Sequence, residues 1–430
     1  MASKQYDFVI VGSGAGGAAL ARELAVRGRS VLVLERGKLE QKVGTYKDAG
    51  RFYDISSKLT NMPRKSKEGV VLWRAFMAGG TTVVSCGNGV RCLEDELGAL
   101  GIDLKEEFAE AEQEMRIAAI PEELLSEGSK KIRWAANELG YKMEPMPKFL
   151  NAASCRKCGQ CVFGCVDCAK WTALDYLKEA ASKGVEIRYE TTVDEVLIKN
   201  DKAEGVVARQ LKRREKIMAE AVIVAAGALS TPVILQKSGF SNAGSGLFAD
   251  LLVNTYGVTD GINQVNEPVM ALVNHDFYKD RGFILSPFIN CSSKVRFMEL
   301  GMKGMTMPAK KLLGIMTKTR DDPSGSVYAD GSISKPVTKN DWQRLKEGSD
   351  IAREILVKAG ASSKSILVSK PQGAHPGGTA AIGVVVDSNL ATEVEGLFVC
   401  DASVLPIAPG LPPILTIVAL SKRLAKTLLQ

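Results

Sequence analysis

Histidine is nearly absent: the 430 residues contain two, His275 and His375. Any histidine chemistry therefore falls on one of these positions. Aromatic residues make up 6% of the chain, and none is interleaved with the short basic groups Lys212-Arg213-Arg214 and Lys422-Arg423. Those groups read as solvated faces, and a net charge of +7 is too modest to imply a nucleic-acid partner. No apolar run reaches bilayer-spanning length, so no transmembrane segment is expected. The stretch Met1-Ala2-Ser3-Lys4-Gln5 leaves no room for a signal peptide before the first apolar strand, which points to a cytoplasmic protein. In a reducing compartment the nine cysteines are not expected to form structural disulfides, and five of them crowd between Cys155 and Cys168. Internal repeats and low-complexity tails are also missing.

What is present is concentrated at the start. An apolar run, Phe8 to Val11, leads into Gly12-Ser13-Gly14-Ala15-Gly16-Gly17, then a small-residue helix pattern, then Val31 to Leu34, ending at Glu35. Strand, glycine turn, helix, strand and acid in this order predict a dinucleotide-binding βαβ unit. Gly12 permits the tight turn, Gly14 lets backbone approach a pyrophosphate, and Gly17 lets the helix pack on the strand. The helix N-terminus faces the phosphates and Glu35 a ribose hydroxyl.

At this length two domains are expected, one interrupted by the other. The predicted division is 1–240, with a Cys-rich loop at 155–168, then a substrate-binding domain at 241–370, then a return to the first domain at 371–430. Strands are expected near 186–189, 192–198, 203–209 and 221–226, with helices at 173–183 and from Ser230-Thr231-Pro232. Beyond 241, strands are expected at 269–273, 283–288, 312–319 and 326–333, a helix at 341–357, a strand at 397–400 and a helix at 414–428. The fold class is α/β: a Rossmann-like doubly wound domain plus an α+β domain built on an antiparallel sheet.

Four separated segments, in order, carry a resemblance to the glucose–methanol–choline (GMC) family of flavoproteins. They are Gly12 to Glu35; Gly79-Gly80-Thr81 through Asn88-Gly89; Gly227 to Pro232 with Leu235 and Gly239; and His375-Pro376 through Asp401-Ala402, Pro413 and Thr416. The resemblance implies FAD, with Gly12, Gly14, Gly17 and Glu35 at its ADP moiety and Gly79, Gly80 and Asn88 near the pyrophosphate and flavin. It further implies Val193 at adenine, Asp401 and Ala402 at the ribityl chain and Thr416 near the pyrimidine end. It also implies hydride transfer from an alcohol carbon to flavin N5, with His375 as the general base. One departure stands out. Where family members place a second His or Asn, this chain has Pro412, whose side chain has neither donor nor acceptor.

Cys155-x2-Cys158-x2-Cys161-x3-Cys165 has the spacing of a ferredoxin cluster run, although Val166 stands where a proline usually follows. An iron–sulfur cluster, a zinc site and a packed thiol loop remain open alternatives. A cluster would drain the flavin one electron at a time, making the protein a dehydrogenase that passes electrons to a protein or quinone. The expected partner is otherwise a small-molecule substrate. Two other readings stay open. The methionines at 298, 302, 305, 307 and 316 would suit a reductase or dehydrogenase of a carbon–carbon bond in a lipid or isoprenoid, and a pure electron-transfer flavoprotein would need no substrate.

Overall fold

Continuous apolar runs, with no polar alternation, belong in a sheet covered on both faces, and the computed structural model places them there. It describes residues 5–57, 62–211 and 213–430, so Met1 to Lys4, residues 58–61 and Lys212 lie outside the described residues. Strand β1 (Tyr6–Val11), helix α1 (Ala15–Val26) and β2 (Val31–Leu34) form the opening unit. β1 lies parallel between β2 and β3 (Arg213–Val224). Glu186–Arg188 extends the sheet beyond β2, and Thr191–Lys199 and Lys202–Gln210 extend it antiparallel beyond β3. Valine, isoleucine and leucine side chains of β1 and β2 are almost fully buried, sealed by α1.

The second sheet is mostly antiparallel. β4 (Leu251–Val258) sits at its centre, paired with β5 (Leu312–Thr319) on one side and with Leu367–Val368 and Gln372–Gly373 on the other. Phe283–Pro287 flanks β5, and Val71–Leu72 pairs with Gln372–Gly373. The long helix Lys339–Lys358, closed at its start by a Thr338/Asp341 capping box, covers one face. The chain then returns to the first sheet. β6 (Leu397–Val399) pairs in parallel with β3, and α2 (Ile414–Leu428) packs against α1.

Beyond residue 241, sequence expectation and structure differ in the strands. β4 was not anticipated, because Asn254, Thr255 and Gly257 interrupt its apolar run. The strand expected at 269–273 shrinks to Leu272–Val273, and 326–333 is a hairpin of Gly325–Val327 and Ile333–Ser334. Among the described residues no helix is long and apolar enough to cross a membrane.

Candidate active site

A cavity of about 690 Å³ runs between the two sheets. At one end lies the glycine turn. Gly12 has φ +103°, and a Cβ there would lie 2.3 Å from the Ala225 carbonyl oxygen at the end of β3. A Cβ on Gly17 would lie 2.1 Å from the Gly12 carbonyl oxygen, so this glycine is required for α1 to sit against β1. Gly14 is different: a Cβ there meets no atom within 4 Å and would project into open space. A cradle left open by a missing side chain, at the start of a twelve-residue helix, suits a phosphate.

Glu35 lines the same end and is buried. Its Oε2 accepts from the Ser13 N–H and hydroxyl, at 3.0 and 2.5 Å, and its Oε1 accepts from the Gly37 N–H at 2.6 Å. Three of roughly four acceptor directions are thus used, leaving one for a ribose hydroxyl. Burial pushes the Glu35 carboxyl upward, against the pull of these donors. The Gly79 N–H donates to the Ser13 hydroxyl, and a Cβ on Gly80 would lie 3.0 Å from the Gly14 Cα. Val193, at an irregularity in its strand's pairing, lines the cavity together with Arg36, Arg64, Arg74 and Arg209. Sequence reasoning did not single out these arginines. Arg36 and Arg74 flank the Phe76 ring, their guanidinium carbons 4.0 and 4.7 Å from its centroid. These features fit the residues to an anionic dinucleotide such as FAD.

Asp401 and Ala402 also line the cavity. The Asp401 carboxylate stitches the 227–231 turn to the returning chain, accepting from the Gly227 N–H, the Thr231 hydroxyl and the Ser403 N–H. Asn88 reaches the wall while its Oδ1 accepts from Lys148. Thr416 does not line the cavity. Its hydroxyl donates to the Cys92 carbonyl and accepts from the Cys92 N–H, so its side chain is spent on packing α2. His275 also lies off the cavity wall, and of the methionines considered above only Met298 and Met316 reach it.

His375 does face the cavity. Its Nδ1 lies 2.8 Å from Oδ2 of Asp250, a fully buried residue whose Oδ1 accepts from the Gly410 N–H. Burial pushes the Asp250 carboxyl up, and burial with the nearby Lys318 charge pushes His375 well below its ordinary value. A neutral imidazole that donates Nδ1–H to Asp250 leaves Nε2 bare as a base. Asp250 was not foreseen, since an isolated acid 125 residues from its partner leaves no pattern in the sequence. Another stretch of the wall is polar. Asn254, Asn290 and Gln372 line it and donate to Glu299, which also receives the buried Tyr256 hydroxyl.

The cysteine run lies beside this chamber, where Val162 and Phe163 form part of the wall. Cys155, Cys158, Cys161 and Cys165 are within electrostatic range of one another, and burial raises the thiols of Cys155 and Cys158. They do not converge. Among the described residues no group of three or more His, Cys, Asp or Glu side chains is disposed to hold a metal ion. Local contacts compete for the sulfurs, such as the Ala169 N–H that donates to Cys165 Sγ.

Residues 6–251 and residues 316–421 each match a family model described as GMC oxidoreductase. The uncharacterized protein MJ1450 of Methanocaldococcus jannaschii is 33% identical over 426 residues, covering 99% of this chain and 100% of that protein. The long-chain-alcohol oxidase FAO3 of Arabidopsis thaliana is 26% identical over 524 residues, covering 98% of this chain and 68% of that one. Among solved structures, pyridoxine 4-oxidase from Mesorbium loti superposes with a TM-score of 0.73 at 15% identity, covering 98% of this chain and 99% of that one. At that identity the likeness establishes the shared fold.

Proposed function

Because the chain belongs to the GMC oxidoreductase family, whose members are FAD-dependent oxidoreductases of CH–OH donors, we propose that it oxidises a small-molecule alcohol in the cavity beside His375. The observation that carries this reading is the His375–Asp250 pair, which opens into the same cavity as the glycine turn.

His375 Nε2 takes the hydroxyl proton, and Asp250 holds the imidazole in the tautomer that permits it and favours the imidazolium that results. Gly12, Gly14, Gly80, Glu35, Val193, Asp401 and Ala402 would hold FAD, with Gly17, Gly79 and Asn88 supporting them. Bound there, FAD supplies the acceptor for the hydride that leaves the alcohol carbon. The polar wall of Asn254, Asn290, Glu299 and Gln372 supports a hydroxylated substrate over a lipid double bond. The extension of the cavity past the glycine turn to His375 and this polar wall also supports an enzyme over a bare electron carrier.

The finer parts of the reading are the division at 240 and 370 and a non-oxygen acceptor, a protein or a quinone. The two sheets support that division, although Val71–Leu72 and Gln372–Gly373 cross it. An iron–sulfur cluster on Cys155, Cys158, Cys161 and Cys165 would serve that acceptor, and forming it would require the loop to close around the metal. FAO3 is named an oxidase, so oxygen is the competing acceptor.

The test is anaerobic mixing of the FAD-loaded protein with primary and secondary alcohols, including long-chain alcohols and pyridoxine. Bleaching of the flavin band by at least one alcohol, abolished in His375→Gln, is expected. Absence of bleaching throughout the panel, or unchanged bleaching in the variant, overturns the assignment. Paramagnetic resonance of anaerobically purified protein decides the cluster.

A further inference from the structure

Several lysines are buried in this molecule, and most have partners. Lys148 Nζ donates to the carbonyls of Cys86 and Val269 and to Asn88; Lys170 Nζ to the carbonyls of Ser85 and Cys161; Lys335 pairs with Asp321 at 2.9 Å; Lys422 pairs with Glu23 and Glu114. Lys318 does not. It sits on β5, where every residue is buried; it is 1% exposed, and among the described residues its Nζ has no hydrogen-bond partner. Its strand neighbour across the pairing is Leu252, which like Lys318, Asn254 and His375 lines the cavity. The nearest carboxylate, Asp250, has its two oxygens engaged by His375 and by the Gly410 N–H.

An unpaired ammonium in a protein interior is strongly disfavoured, and an unpartnered neutral amine is disfavoured too, though far less. A residue kept under that burden on the wall of a substrate cavity is matched to something absent from the apoprotein. The cavity also carries a proline where the family resemblance implies a polar partner. Pro412 lines it and has no polar side-chain atom.

We propose that Lys318 Nζ donates to the reacting oxygen of the alcohol, opposite His375 Nε2, in the role that Pro412 cannot fill. This rests on the alcohol-oxidation reading. The hydroxyl proton goes to His375 Nε2 and the O–H electron pair becomes the second bond of the carbonyl. The C–H pair leaves as hydride to the oxidised FAD. Lys318 keeps its protons, and its N–H···O bond strengthens as the oxygen becomes anionic, so it selectively favours the transition state. The substrate oxygen supplies the partner that the apoprotein lacks.

The experiment compares FAD-loaded wild type, Lys318→Met and Lys318→Arg without turnover. The probe is acetate, a small oxyanion, read by saturable perturbation of the flavin spectrum, alongside thermal melting of each protein. The expected result is that Lys318→Met weakens acetate at least tenfold, Lys318→Arg stays within a few-fold of wild type, and Lys318→Met melts higher than wild type. Bleaching by alcohols should slow by about a hundredfold or more in Lys318→Met, the scale of a lost oxyanion donor. Unchanged acetate affinity in Lys318→Met, or no saturable acetate effect in wild type, overturns the proposal. So does a Lys318→Met protein that melts below wild type or fails to fold, because Lys318 would then be a structural residue. Since acetate binding needs no reaction, failure of the alcohol panel and failure of Lys318-dependent oxyanion binding remain separate results.

Discussion

Replacing Asp250 with Asn keeps the side chain's shape but moves one proton and removes one charge. The amide oxygen can still accept from the Gly410 N–H, as Oδ1 does at 2.8 Å. The amide nitrogen then faces His375 Nδ1, where a carboxylate oxygen now stands at 2.8 Å. An amide NH₂ only donates, so Nδ1 must accept and the ring proton moves to Nε2, the atom that should take the hydroxyl proton. The lost charge adds to this. With charge centres about 4 Å apart and an effective dielectric near 20, the attraction between Asp250 and a developing imidazolium is about 4 kcal/mol. That corresponds to about three decades in rate. The assay is anaerobic stopped-flow reduction of the flavin at saturating alcohol, with FAD content and melting temperature measured on the same samples. A drop of about a thousandfold is expected, with FAD loading retained. An Asp250→Asn protein that loads FAD and reduces it within tenfold of wild type would refute the role given to the pair.

Other expectations follow from the same geometry. Gly14→Val should fold, because a Cβ at Gly14 meets nothing, yet lose FAD affinity by about ten- to a hundredfold; Gly17→Val should misfold, and calorimetry with flavin fluorescence separates the two. Lys335→Met strands the buried Asp321 carboxylate, which also accepts the N–H groups of Ala249 and Leu251 on either side of Asp250. It should cost about 3–5 kcal/mol in urea unfolding and slow flavin reduction as well, and a loss under about 1 kcal/mol would contradict the pairing. The last concerns pH. Burial lowers Lys318 below the ordinary lysine value of 10.5, with Asp250, His375, Cys92 and Cys86 facing it. Between the lowered value and 10.5 the unfolded chain binds more protons than the folded one, so this residue's contribution to stability rises with pH. The melting advantage of Lys318→Met should therefore shrink as pH is raised through that window, and a constant or widening gap would count against the burial of a charged amine.

The first sheet was readable because its signals are local. Phe8 to Glu35 fixes a turn, a helix start and two strands within thirty residues, the run at 221–224 is apolar without interruption, and 186–198 keeps β-branched and aromatic residues between its charged ones. His375 was readable through the residues around it. The second sheet was harder, because its central strand carries Asn254, Thr255 and Gly257, whose polar groups are buried against Glu299 and neighbouring strands. Only tertiary contacts justify such a strand. Asp250 and Lys318 stayed hidden for a related reason. A single acid and a lysine inside LLGIMTKT look like surface residues until the partner elements close over them. Thr416 was placed near a ligand on the family motif alone, and the helix turns its hydroxyl toward Cys92.

The parallel pairing of β3 with β6 has a consequence for biogenesis. The glycine turn leaves the ribosome before Asp401, Ala402 and the start of α2, which wall the same chamber. A nascent chain holding only the opening fold would offer the cofactor half a site. Flavin capture should therefore wait until translation has passed this returning segment, so that apoprotein accumulates first and scarcity of the vitamin shows as a pool of empty, complete chains.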